Sequence, residues 1–212
     1  MMKTKRSIGW MLIFLMITSC DLLGIGGEPD IPGKIVFSAR DGNNTNQIYT
    51  MNADGSGVRQ LTYLEDGGAL GPLWSPDRSR IVFVSNRDSS ERTGSDLYIT
   101  EIDGDQIERL TETGKAGRPV WHPDGKALFY WFDNNLYEID IQNKETKRRS
   151  VSISGGKGFR PVAISPSGDY LLLHTFSYVN TREDQSLQVL DLSSQELTHI
   201  YSNASIHRAD WR

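Results

Sequence analysis

Residues that could carry out catalysis are sparse in this sequence. Four histidines are spread over 212 residues, and none lies in a His-Glu-x-x-His motif, which would place two zinc ligands on one face of a helix. A Gly-x-Ser-x-Gly nucleophile turn and a Gly-x-x-x-x-Gly-Lys phosphate loop are also absent. His122 precedes a Pro-Asp-Gly sequence and is interpreted as a turn residue. We therefore predict no catalytic site and no cofactor.

Two stretches rich in oxygen ligands, 52–57 and 103–105, raise the question of a calcium site. A calcium loop of the EF-hand type needs oxygen ligands at alternate positions and a glutamate at its end. Neither stretch has that spacing. Because Asp-Gly is typical of tight hairpin turns, we predict hairpin turns and no metal site.

Three arginines, Arg118, Arg160 and Arg208, stand at or just before the start of a stretch that recurs along the chain, and Gly71 fills the corresponding place in the remaining copy. Clustered guanidinium groups suit a carboxylate or another anionic group on a ligand or partner. The three arginines are therefore predicted to bind such a group. In the alternative, each arginine forms a solvent-exposed ion pair of small energy with a nearby carboxylate. The candidate carboxylates are Glu112, Asp169 and Asp210.

The single cysteine, Cys20, follows a basic start and an apolar run at 8–17, a pattern typical of a signal peptide and too short to span a membrane. With one cysteine no disulfide can form within the chain. Ile-Thr-Ser-Cys at 17–20 resembles the bacterial lipobox, in which the cysteine is lipid-modified and begins the mature protein. We predict a lipoprotein signal peptide at 1–19, and a lipidated Cys20 with a flexible Gly- and Pro-containing tether at 20–33.

The charge balance excludes one class of partner. The whole chain has a net charge of -4, and without residues 1–19 it has 20 Lys and Arg against 27 Asp and Glu, a net charge of -7. An acidic body lacks the clustered basic surface that nucleic acid requires, so no nucleic-acid partner is expected. The predicted location is the bacterial cell envelope, anchored to a membrane and facing the periplasm or the cell exterior, with inner and outer membrane both open.

The elements that must position the arginines form a repeat. A Trp-type residue recurs at Trp74, Trp121, Ile164 and Trp211, with separations of 47, 43 and 47 residues. A period of about 40–50 residues indicates a propeller or a similar array. After each of the first three, a turn sequence and short apolar or β-branched runs predict antiparallel strands. The predicted blades are 34–62 with 207–212, 71–111, 118–150 and 161–200.

The two ends of the repeat complement each other. The first unit begins with its second strand at Lys34, and 208–212 reads as a first strand without the rest of its unit. We predict an all-β fold, a β-propeller at 34–212 with four blades of four antiparallel strands and the C-terminal strand closing the first blade. A monomer closed in this way has no exposed edge at that blade. The alternative is a dimer in which two chains exchange end strands and form an eight-bladed ring.

The repeats resemble those of the TolB-type, or WD40-like, β-propeller. Its unit reads approximately Pro-x-Trp-Ser-Pro-Asp-Gly, Ile-x-Phe, Asp-Ile-Tyr, Asp-Gly and Arg-x-Leu-Thr, and the match is most faithful at 73–111. The resemblance implies a binding or scaffold module for an envelope protein or peptide partner, with the tryptophans and turns in structural roles. Related propellers occur in prolyl oligopeptidase-like enzymes and in pectate-fragment lyases. A carbohydrate- or peptide-processing enzyme is therefore the alternative function.

The order of strands within a blade predicts where a partner binds. The links from strand one to two and from three to four share one face, where the sequence places tight turns. The remaining links share the opposite face with the arginines, and long loops on a rigid scaffold often carry function. The long loops are predicted at 38–46, 85–95 and 174–186.

Overall fold

The computed structural model of the chain describes residues 33–89, 94–153, 158–179, 182–203, 206 and 209–211. This part of the chain consists of strands, turns and irregular segments, in agreement with the all-β prediction. No helix long and apolar enough to cross a membrane is found in it. The predicted signal peptide, Cys20 and Arg208 lie outside the described residues.

The described residues contain fifteen strands, and neighbouring strands pair in antiparallel fashion. The short apolar runs of the sequence form most of them because residues with β-branched and aromatic side chains pack well on a pleated sheet. The strands are β1 (Lys34–Arg40), β2 (Asn46–Asn52), β3 (Arg59–Gln60), β4 (Ala69–Trp74), β5 (Arg80–Ser85), β6 (Asp96–Glu101), β7 (Ile107–Arg109), β8 (Gly117–Trp121), β9 (Ala127–Phe132), β10 (Asn135–Asp140), β11 (Thr146–Arg149), β12 (Gly158–Ile164), β13 (Tyr170–Val179), β14 (Arg182–Asp191) and β15 (Leu197–Asn203).

Each sheet is a meander of consecutive strands and corresponds to one predicted blade. Blade 1 is β1-β2-β3, blade 2 is β4-β5-β6-β7, blade 3 is β8-β9-β10-β11 and blade 4 is β12-β13-β14-β15. Strands β4, β8 and β12 come first in blades 2 to 4 and line a common cavity. The four predicted blades are therefore confirmed, with three strands in blade 1 in the described part.

The hydrophobic core lies between neighbouring blades. In β5, Ile81 and Phe83 pack with residues of blade 1, whereas Val82 packs with residues of blade 3. Successive side chains of a strand point to opposite faces, so a blade covered on both sides needs the continuous apolar run that the sequence shows. A third cluster joins blades 3 and 4 through Phe129 and Leu171. Burying each such side chain contributes about 1.5–3 kcal/mol.

The Pro-Asp-Gly sequence at 123–125 and its variants Pro-Asp-Arg at 76–78 and Pro-Ser-Gly at 166–168 form the turns between the first and second strands of a blade, as predicted. Gly125 and Gly168 have positive φ values of 70° and 84°. Arg78 occupies the glycine position of blade 2 and keeps the same conformation, with φ at 60°. Its amide donates to the Ser75 carbonyl at 2.9 Å, like the amides at the other two turns. The turn is thus preserved at the cost of a strained arginine.

The predicted closing strand is not shown. Strand β1 pairs with β2 alone among the described residues, and Ala209, Asp210 and Trp211 belong to no strand. The amide of Ile206 instead donates to the Gln185 side chain of blade 4 at 2.7 Å. This bond holds the start of the C-terminal segment beside blade 4, so its described residues do not extend the ladder of β1.

The predicted long loop at 174–186 is wrong. Strands β13 and β14 continue through this stretch as a long hairpin, and the pairing runs as far as Val179 and Arg182. Buried polar side chains support the extension, since the hydroxyl groups of Thr175 and Ser186 are hydrogen-bonded at 2.6 Å. A polar stretch was interpreted as a loop because cross-strand hydroxyl pairs cannot be recognised without the strand register.

Candidate functional site

A cavity of about 760 Å³ lies at the centre of the blades and collects two of the predicted arginines. Arg118 of β8 and Arg160 of β12 both line it, and so does Asp210 of the C-terminal segment. Arg208 lies outside the described residues. Much of the remaining wall is apolar, and it includes Leu70, Leu73, Val120, Val162 and Leu187. The cavity thus combines charged groups with an apolar surface, which is typical of a ligand site.

A β-bulge interrupts the first strand of blades 2, 3 and 4. The register shifts between Leu70 and Leu73 in β4, between Gly117 and Val120 in β8, and between Pro161 and Ala163 in β12. A bulge adds one residue to a strand and redirects the side chains beside it. In each strand the bulge lies where the strand borders the cavity.

Arg118 occupies a strained backbone conformation at this bulge. Its φ is 51°, and Gly71, at the matching place in β4, has a φ of 58°. Glycine adopts this left-handed region freely, whereas a residue with a Cβ loses about 1–2 kcal/mol there. The Arg118 side chain is exposed and makes no hydrogen bond or ion pair with any described residue. Its pairing with a nearby carboxylate, the alternative considered above, is therefore not observed.

Arg160 is held in position by a chain of buried side chains. Its Nε donates to Nδ1 of His174 at 3.1 Å, and the guanidinium carbon lies 5.7 Å from the centre of the Phe176 ring. Because Nδ1 accepts this bond, the imidazole proton lies on Nε2, which donates to Oε1 of Gln185 at 2.9 Å. His174 is therefore a neutral imidazole that orients the Arg160 guanidinium without cancelling its charge.

The sequence did not indicate His174, Gln185 or Asp210 as parts of the site. His174 is directly opposite Arg160 in the sheet and is 4% exposed, and Gln185 accepts from both His174 and the Ile206 amide. Counting residues outward from the turn after β12 would have placed Thr175 opposite Arg160, because the count omits the bulge. Pro161, which follows Arg160, indicates a bulge, since proline within a sheet is confined to edges, strand starts and bulges. This signal alone does not identify His174 as the residue opposite Arg160.

The described residues include no group of three or more histidine, cysteine or acidic side chains that could hold a metal ion. His122 lies in its predicted turn, where its Nδ1 is 2.7 Å from Oδ1 of Asp124. The stretches 52–57 and 103–105 contain hairpin turns, with positive φ at Gly55, Gly57 and Gly104. The central cavity brings together charged side chains of blades 3 and 4 and of the C-terminal segment.

Comparison with known proteins identifies the family. Residues 28–211 match the model of the TolB beta propeller domain. The chain belongs to this family. The Tol-Pal system protein TolB of Alcanivorax borkumensis is 33% identical over 104 residues, which cover 46% of this chain and 23% of that protein.

Solved structures agree with the TolB-type fold. TolB from Acinetobacter baumannii matches with a TM-score of 0.63 and 18% identity, covering 80% of this chain and 42% of that one. An oligogalacturonate lyase in complex with manganese matches with a TM-score of 0.54 and 18% identity, covering 83% of this chain and 49% of that one. This TolB-type chain therefore spans less than half of each of these relatives. Because proteins with different activities share the fold, function must be argued from the cavity.

Proposed function

We propose that this protein is a cell-envelope lipoprotein whose TolB-type propeller binds a protein or peptide partner. The central cavity receives an anionic group of that partner. The family supports a role as a protein-binding scaffold, and the relative from Alcanivorax borkumensis is named as part of the Tol-Pal system. Residues 17–20 support the envelope location and the lipid anchor at Cys20. Mass spectrometry of the mature N-terminus checks the anchor, since an unmodified Cys20 or cleavage elsewhere contradicts it.

The observation that carries the proposed binding role is the strained backbone of Arg118 beside the cavity. Gly71 in blade 2 shows that the same bulge forms without any side chain at this place. Arg118 is thus more strained than a glycine would be, and it borders the cavity without an ion-pair or hydrogen-bond partner in the described part of the chain. Strained residues at a site are a reason to infer function there. In a protein with a net negative charge, these arginines form a local positive region that attracts an anion.

The test uses the acylated protein in its native membrane. Partners are cross-linked, co-purified and quantified for the wild type and for a variant with Arg118→Gln, Arg160→Gln and Arg208→Gln. We expect the triple variant to capture less partner and to lose most of the salt dependence of capture. Unchanged capture by the triple variant contradicts the proposed function.

The matched control for this experiment is built on Arg78→Gln. Arg78 is also an exposed arginine with positive φ, but it lies in the turn after β4, at the end of that strand away from Gly71. Combined with Lys126→Gln and Lys147→Gln, at two other exposed residues, Arg78→Gln removes three positive charges, as the triple variant does, without changing a residue that lines the cavity. Equal losses in the control and in the triple variant would mean that net charge, and not the cavity, determines capture.

A further inference from the structure

The central cavity contains a negative charge in addition to its arginines. Asp210 lines the cavity with Arg118 and Arg160, and its side chain is exposed. Among the described residues, its carboxylate accepts from the Trp211 amide, which donates to Oδ1 at 2.9 Å. Asp210 forms no ion pair with a described residue. The Asp210 carboxylate and the Arg118 guanidinium, neither of them ion-paired with a described residue, thus share one cavity.

The same buried network holds both kinds of charge. Gln185 accepts from His174, which orients Arg160, and also from the amide of Ile206, which begins the segment carrying Asp210. The indole nitrogen of Trp211 is buried, so the other end of the segment is also packed against the protein. Blade 4 therefore positions a cationic group and an anionic group relative to each other.

This arrangement suits a ligand that carries both charges. A purely anionic ligand would gain from the arginines but would be repelled by Asp210. A ligand with an ammonium group can place it at Asp210 while its carboxylate contacts the arginines. The wall between these groups is largely apolar, and Leu70 and Leu73 are 50% and 40% exposed. An apolar body between the two charged ends would bury this surface.

We propose that the cavity binds a short apolar peptide with free ends, its carboxylate at Arg118 and Arg160 and its terminal ammonium at Asp210. The volume of about 760 Å³ falls within the usual size of small-ligand sites and suits a few residues. The carboxylate end rests on the function proposed above. The ammonium end is new and rests on Asp210 and the network that holds its segment.

Calorimetric titration of the full-length protein in detergent tests this assignment. The probes are the tripeptide Leu-Ala-Leu with free ends, its N-acetylated form and its C-terminal amide. Acetylation should weaken binding to the wild type by about tenfold, as expected for the loss of one charged hydrogen bond. Acetylation should have no effect on Asp210→Asn, and amidation should have little effect on the double variant Arg118→Gln, Arg160→Gln. Asp105→Asn removes an exposed carboxylate that does not line the cavity and should behave like the wild type.

Each possible outcome bears on one end of the ligand. Equal binding of the acetylated and free peptides overturns the assignment of Asp210, and a loss caused by amidation alone would still support carboxylate binding by the arginines. Absence of binding by all three peptides at millimolar concentration overturns the inference as a whole. The proposed capture of a larger envelope partner is then decided separately, by the cross-linking experiment.

Discussion

Blades 2 and 3 place different residues at equivalent positions between their third and fourth strands. In blade 2, Asp96 is 2% exposed and accepts from Nη2 of Arg109 at 2.7 Å, from the Thr111 hydroxyl at 2.8 Å and from the Thr113 amide at 2.8 Å. In blade 3, Asn135 is only half-buried and its side-chain oxygen accepts from Arg148 at 2.5 Å. Blade 2 thus joins its third and fourth strands at this position through a buried, charged residue, whereas blade 3 does so through a neutral and more exposed residue.

Beside the cavity, it is blade 3 that has a charged residue and blade 2 that has a neutral one. Blade 2 has Gly71 at its bulge, where the left-handed conformation is free of strain, and blade 3 has the strained Arg118. Blade 2 therefore has a buried carboxylate at the start of its third strand and an unstrained bulge, whereas blade 3 has a neutral residue at the first place and an arginine beside the cavity at the second. The comparison teaches that repeats with one backbone plan can divide stability and binding between them.

Asp96→Ala should have the largest effect on this comparison. It leaves the partly buried Arg109 guanidinium and the Thr111 hydroxyl without their acceptor, and breaking a buried ion pair costs about 3–5 kcal/mol. Asn135→Ala should cost about 1 kcal/mol, because it removes one neutral residue near the surface. Urea unfolding of both variants measures the difference. Equal losses of unfolding free energy would show that Asp96 and Asn135 stabilise their blades equally.

The next largest effect should be a difference in pH dependence, because the stabilisation by Asp96 depends on its charge and that by Asn135 does not. Burial raises the pKa of Asp96, but hydrogen bonds from Arg109, Thr111 and the amides of Thr113 and Gly114 outweigh it, and the pKa lies below the ordinary 3.8. Because the folded pKa is lower than the unfolded one, this stabilisation is complete above the ordinary value and is lost as the pH falls through the folded pKa.

The free energy of unfolding, measured from neutral pH down to acid, should therefore fall more steeply for the wild type than for Asp96→Asn. Other carboxyl groups with lowered pKa values, such as Asp77 and Asp191, are unchanged in this variant and contribute equally to both curves. Asn135→Ala should follow the acid dependence of the wild type. Parallel curves for the wild type and Asp96→Asn would contradict the assigned role of the carboxylate.

Arg118→Gly should have the smallest effect on stability and the opposite sign. Glycine removes the strain at φ 51°, but it also gains freedom in the unfolded chain, so a net stabilisation of about 0.5–1 kcal/mol is expected. The reverse change, Gly71→Arg, should destabilise blade 2 by a similar amount. Thermal unfolding measures both. A destabilised Arg118→Gly would show that this arginine supports the fold, which would weaken its proposed role in binding.

The four-blade plan could be predicted because it depends on local patterns. Apolar runs such as Ile81-Val82-Phe83 require cover on both faces, and the Pro-Asp-Gly sequence and its two variants require turns, so strand order follows from the sequence alone. The position of Arg118 beside the cavity was also correct, because its place in the repeat matches that of Gly71. The hairpin at β13 and β14 was missed because its pairs are polar.

The partners of the arginines were decided by the tertiary structure. Without the bulge in β12, Arg160 would be opposite Thr175, and the one-residue shift at the bulge places it opposite His174. A one-residue shift exchanges the two faces of a strand. Pro161 indicates a bulge here, since proline within a sheet is confined to edges, strand starts and bulges, but the residues that face each other across it are set by the pairing of β12 with β13. The same holds for Asp210, which enters the cavity because a side chain of blade 4 holds the distant Ile206. The sequence alone thus determined the strands and their order, and three-dimensional packing determined which charges meet.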